Sequence, residues 1–172
     1  MEDNKAITVR RATAYDIDAI AKVQITAWQT NFCNQKLDAA ISNTFSSVLK
    51  KRWASQFEQG YQVLVAENDD NEIIGFVGFC MHTDATQIAE INAFYLTSNT
   101  LHHSIGPLLC NMALDEIKRN GYQEAAIWVL EENNQMKSFY EELGFQATPI
   151  HKTNDLGEGH FSREIEYRIN VN

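Results

Sequence analysis

The sequence predicts an α+β fold, a mixed and mostly antiparallel sheet flanked by helices. Two observations carry that expectation. Segments of period-two apolar alternation and segments of helical period follow one another as strand, helix, helix, three strands, helix, strand, helix, two strands. Runs of strands joined by short turns are thereby combined with two strand–helix–strand units, so antiparallel neighbours and a parallel step belong in one sheet. The chain has 172 residues, the length of one domain over 1–172 with one sizeable core. No repeat, low-complexity tract or linker divides it.

Taken in order, residues 7–11 (ITVRR) alternate and read as the first strand. Thr13 is placed as a helix N-cap, with Asp16 at the capping-box position. Ile17, Ile20, Ala21, Val23, Ile25, Ala27 and Trp28 then form the apolar face of a helix. A second helix is expected from Thr44 to Gln59, carrying Phe45, Val48, Leu49, Trp53 and Phe57 at helical spacing and closed by Gly60. Tyr61–Glu67 and Ile73–Met81 read as a hairpin around the turn cluster NDDNE. Gln87–Leu96 is the third of these strands and the expected centre of the sheet. After a polar loop, Ile105–Asn120 reads as a helix stopped by Gly121. Glu124–Leu130 is a strand and Asn133–Leu143 a helix ending at Gly144. Phe145–Ile150 and Phe161–Ile169 close the sheet, joined by a loop containing Gly157 and Gly159.

Composition narrows the function. Apolar residues are 44% of the chain and charged residues 22%, as in globular proteins. The formal net charge of −9, with no Lys/Arg run beyond Lys50-Lys51-Arg52, argues against nucleic acid as a partner. Acidity suits an amine or other cationic acceptor only weakly, since most acidic surfaces serve solubility alone. Cys33, Cys80 and Cys110 are odd in number and widely spaced, with no His/Cys ligand pattern, so neither a disulfide framework nor a metal site is expected. No signal-like or membrane-spanning apolar run occurs, so the expectation is a cytoplasmic protein with no membrane association.

The segment EINAFYLTSNTLHHSIGPLLC, residues 90–110, takes the chain from a strand end through a loop to a helix start. Free N–H groups and the dipole at such a start hold a pyrophosphate without a basic side chain. The G-x-x-x-x-G-K-[ST] loop and the G-x-G-x-x-G fingerprint are both absent.

This segment resembles motif A of the GNAT N-acetyltransferase superfamily, [Q/R]-x-x-G-x-[G/A], with Leu101, His102, His103, Ser104, Ile105 and Gly106 at its six positions. Downstream, residues 127–133 (IWVLEEN) and 138–145 (SFYEELGF) resemble the family's motif B, and this is the more specific match. The resemblance covers nearly the whole chain and implies a GNAT-like, acyl-CoA N-acyltransferase fold. Leu101 replaces Gln or Arg, Ser104 replaces the first Gly and Pro107 follows Gly106, changes that predict weakened pyrophosphate binding.

The resemblance implies acetyl-CoA as co-substrate, with Phe94 and Leu96 flanking its acyl and pantetheine groups and the Leu96 N–H on the thioester oxygen. Its pyrophosphate would lie on Leu101, His102, His103, Ser104, Ile105 and Gly106. Asn133 would meet the pantetheine or cap its helix. Glu90 is the candidate base for the amine, with a solvated strand-start carboxylate as the other reading. Asn92, two residues on, shares its face and could orient substrate. Tyr140 is the candidate acid for the leaving thiolate, or else a core aromatic. Trp28, Phe32 and His160 fall where the family forms its acceptor pocket, with packing the alternative for the aromatics. The implied reaction is acetyl transfer to an amine of a small molecule or peptide in a ternary complex. The rival is a non-catalytic module of the same fold that binds CoA or a small ligand. The two central strands are expected to part after Phe94 and Val129, and the closing strands offer edges for a homodimer.

Overall fold

A computed structural model describes residues 6–32, 39–81, 87–97, 105–157 and 159–172, the side chains of 28–32, 39–42 and 156–157 excepted. In chain order the elements are β1 (Thr8–Arg11), a 3-10 turn (Ala14–Asp16), α1 (Ile17–Phe32), α2 (Ala39–Glu58), β2 (Gln62–Glu67), β3 (Ile73–Met81) and β4 (Ile88–Leu96). There follow α3 (Ile105–Arg119), β5 (Glu124–Leu130), α4 (Asn134–Glu142), β6 (Gln146–Gly157) and β7 (His160–Asn170). Among the described residues the sheet has seven strands in the order β1-β2-β3-β4-β5-β7-β6. Among the same residues β4–β5 pair in parallel and β1–β2, β2–β3, β5–β7 and β6–β7 antiparallel. The mixed, mostly antiparallel α+β sheet expected from the sequence is therefore present.

The chain forms two compact units, Met1–Cys80 with Ala93–Ala113, and Met81–Asn92 with Leu114–Asn172. In the first, the strand side chains of Val63, Val65, Phe76 and Ala93 pack with Ile20 and Val23 of α1 and Trp53 of α2. Trp53 meets the Phe76 ring edge-on at 5.5 Å and Tyr61 at 5.8 Å. Its indole N–H is satisfied by the Gln24 side-chain oxygen at 2.9 Å, which makes burial of that ring affordable. Arg10 ties β1 to its neighbours: its guanidinium donates to both oxygens of Asp16 (2.8 and 2.9 Å) and to Glu67 (2.6 Å). Asp16 also accepts from the Thr13 N–H at 2.8 Å, the back-bond expected of the capping box. At the β2–β3 turn the Asn68 side-chain oxygen accepts from the N–H groups of Asp70 and Glu72, and Asn71 takes φ 59°.

In the second unit, β7 pairs with β5 from Glu124↔Asn170 to Leu130↔Glu164, and with β6 on its other side. Phe139, Tyr140 and Phe145 bury their rings together at the end of α4, and the Tyr167 hydroxyl donates to Glu141 at 3.1 Å. Burial, then that hydrogen bond, raises the Tyr167 pKa above the usual phenol value.

The helix stops follow one rule. Gly60, Gly121 and Gly144 take φ of 79°, 85° and 99°, and the next residue donates back to the last turn, as Tyr61 does to Gln56 and Phe145 to Tyr140. Two boundaries differ from the sequence reading by more than one residue. α2 begins at Ala39 rather than Thr44, because Ala39-Ala40-Ile41 are helix-compatible and no breaker precedes Thr44. The segment read as a late loop is largely strand: β6 runs to Gly157, and the hairpin closes at Gly157↔His160 beside Gly159 at φ 80°. Its residues are polar, and pairing with β7 decides their conformation where apolar alternation is absent.

Candidate active site

The parallel ladder of β4 with β5 runs from Ile88↔Glu124 to Ile91↔Ile127 among the described residues. β4 nevertheless continues to Leu96 and β5 to Leu130, the latter still paired with β7. The described pairing thus stops earlier than expected, before Phe94 and Val129. The Thr97 N–H donates to the Ile74 carbonyl at 2.9 Å. Successive N–H groups of a strand point to opposite edges, so the Leu96 N–H points away from β3. Leu96 itself is buried, and a Cβ on Gly75 would collide with its side chain, so glycine is what lets β3 lie against Leu96. Phe94 is half-buried.

Of the six motif A positions, Ile105 and Gly106 open α3, half-buried and buried respectively. The first N–H groups of a helix have no intrahelical partner and can serve an anion, and here Pro107 in the same turn contributes none. Leu101, His102, His103 and Ser104 lie outside the described residues, as do Cys33 and His82. Trp28 and Phe32 fall in α1, with side chains outside the description.

The remaining candidates separate by environment. Glu90 is half-buried between the buried Ala89 and Ile91, and Asn92 is exposed. Among the described residues the Glu90 carboxylate has no hydrogen-bonded or ion-paired partner. Tyr140 is 2% exposed, with its ring against Phe139 and Phe145 at 5.2 and 5.4 Å. Asn133 is the N-cap of α4 rather than its first helical residue, because its side-chain oxygen accepts the Met136 N–H at 3.1 Å. His160 is exposed at the first position of β7. Burial pushes the Cys110 thiol up to about 12, which keeps it protonated and unreactive at neutral pH. Among the described residues no group of three His, Cys, Asp or Glu side chains could hold a metal ion.

Sequence reasoning passed over a polar face in the second unit. Glu90 is in register with Ala126, and Trp128 lies two residues further along β5, hence on the same face of the sheet as Glu90. Trp128 is opposite Glu166 on β7, and Glu164 is opposite Lys152 on β6. Glu166 is 7% exposed and held by Arg168 (2.7 Å) and the Thr148 hydroxyl (3.1 Å). The Lys152 ammonium lies 4.4 Å from the Trp128 ring centroid and 3.2 Å from Glu164. The signal for it was the polar alternation of His160, Ser162, Glu164, Glu166 and Arg168.

A sheet in this order, with its parallel step at β4–β5, defines the fold class of the acyl-CoA N-acyltransferases. The model of the acetyltransferase (GNAT) family matches residues 25–145, and the chain belongs to that family. It is 25% identical over 130 residues to the uncharacterized N-acetyltransferase YuaI of Bacillus subtilis, covering 74% of this chain and 73% of that protein. The fold is similar to PaiA N-acetyltransferase from Thermoplasma acidophilum in complex with coenzyme A, with TM-score 0.69, 21% identity and coverage of 94% and 98%. It is also similar to yncA from Salmonella typhimurium, solved with its cofactor acetyl-CoA, with TM-score 0.69, 17% identity and coverage of 97% and 95%. No helix among the described residues is long and apolar enough to cross a membrane.

Proposed function

We propose that this protein is a cytoplasmic enzyme that transfers the acetyl group of acetyl-CoA directly to a primary amine of a small molecule or peptide. The amine nitrogen attacks the thioester carbonyl, the C–S bond breaks, and the products are an N-acetyl amide and the thiol of CoA. Glu90 takes the proton that the amine must lose, and a half-buried carboxylate without a partner among the described residues suits that task. The Leu96 N–H polarises the thioester carbonyl, as preorganised backbone donors do in acyl transfer. Tyr140 returns a proton to the leaving sulfur. Ile105 and Gly106, with Leu101, His102, His103 and Ser104, receive the pyrophosphate at the start of α3. Asn133 caps α4 and keeps Tyr140 in place. Phe94 borders the acyl chain, and Asn92, Trp28, Phe32 and His160 serve the acceptor. The chain acts as one domain and its β6 edge is the surface for a homodimer.

The observation that carries this reading is the outward-turned Leu96 N–H on a strand that outruns its described parallel ladder. The test is calorimetry with acetyl-CoA followed by thiol release with a panel of primary amines. Binding with turnover supports the reading, whereas binding without turnover makes the protein a ligand-binding module. The absence of binding removes the role of the α3 start.

A further inference from the structure

The face bearing Glu90 and Trp128 already holds an ammonium, the side chain of Lys152. We infer that this Trp128–Glu164 position is the acceptor's cation subsite, and that the acceptor is an unbranched primary alkylammonium for which Lys152 is a resident stand-in. The inference rests on the proposed amine acetylation and names its substrate class.

Five observations support it. The Lys152 nitrogen lies over the face of Trp128 at 4.4 Å, the placement in which a ring quadrupole attracts a cation. The same nitrogen is 3.2 Å from Glu164, whose Oε2 also accepts from Asn154 at 2.7 Å, so the carboxylate is fixed while its other oxygen is without a partner among the described residues. Lys152 is not locked in, since its side chain is 40% exposed at the end of a flexible four-carbon stem. The neighbouring charges are balanced separately, with Arg168 engaged by Glu166 at 2.7 Å and Glu124 at 3.6 Å. A free alkylammonium therefore displaces one ammonium by another, at no cost in buried unpaired charge. The register puts Glu90 on the same face, so an amine seated over Trp128 is presented on the side of the sheet that carries the proposed base.

The tethered lysine competes at a high effective concentration. Removing it as Lys152→Met should tighten binding of 1,5-diaminopentane about tenfold by calorimetry. Trp128→Leu and Glu164→Gln should each weaken it by about fivefold or more, the latter guarding against misfolding of the former. In the wild type, saturating diamine should abolish the ring-current shift of the Lys152 ε-methylene protons, a change that a purely structural lysine would not show. A lysine-containing peptide titrated in parallel distinguishes a peptide source of the same alkylammonium from a free diamine. Lys152→Met binding both probes no more tightly than wild type, or an unmoved ε-methylene resonance, overturns the inference. Acetyl-CoA titration and thiol release are measured on the same samples. Amine binding in the expected order without thiol release leaves the cation subsite standing and removes the transfer reaction. Thiol release with amine binding indifferent to all three substitutions does the reverse.

Discussion

The β2–β3 region and the β5–β7–β6 region treat the same secondary structure in opposite ways. Val63–Ala66 and Gly75–Phe79 are buried without interruption, and the former contribute to an apolar cluster centred on Trp53 and Phe76. On β6 and β7 the residues around Trp128 are Glu, Lys, Arg, Thr and Asn, held by ion pairs and hydrogen bonds. Apolar contact is non-directional and rewards area, so the first region specifies stability. Charge pairs near water contribute little net stability but fix geometry and select a partner, which is the recognition role proposed for the second region.

The contrast is broken most severely by a cavity in the first region. Phe76→Ala should cost about 3–5 kcal/mol, read as a lowered urea midpoint, while the affinity of any surviving folded protein for amines should be unchanged. Glu90→Gln should lower thiol release by about a hundredfold with little change in the urea midpoint. Tyr140 belongs to both descriptions. Tyr140→Phe keeps its ring packing, so it should lower the rate by about tenfold or more at nearly constant stability. Arg10→Ala removes the ties to Asp16 and Glu67 and should cost about 1–2 kcal/mol. The Arg10 hydrogen bond holds the Asp16 carboxyl below its ordinary value. That contribution is fully present above about pH 4, the unfolded carboxylate value, and is lost as pH falls through the lowered folded value. Asp16→Asn should therefore flatten the acid limb of a stability–pH curve. The smallest effect is expected at the α4 cap, where Asn133→Ala should cost about 1 kcal/mol.

The same contrast decides what was legible in the sequence. Apolar periodicity and glycine stops located the strands, the helices and the three helix ends, because burial and positive φ leave a residue-level trace. The start of α2 and the length of β6 were less legible. Ala39–Ser42 lacks a strong apolar period, and residues 151–157 are strand only because β7 is there to pair with them. Motif B led to Asn133 and Tyr140, and the structure adds the capping bond and the aromatic packing. Polar alternation along β7 marked the polar face, but not the Trp128–Lys152–Glu164 arrangement on it, which joins three strands through a register that no local pattern encodes.

The most direct test of the account is CoA-thiol release from acetyl-CoA in the presence of primary alkylamines, with wild type and Glu90→Gln side by side. The account predicts amine-dependent release by the wild type and its loss by about a hundredfold in the variant, with acetyl-CoA affinity preserved. Equal rates in the two proteins, or release that does not depend on an amine, would contradict it.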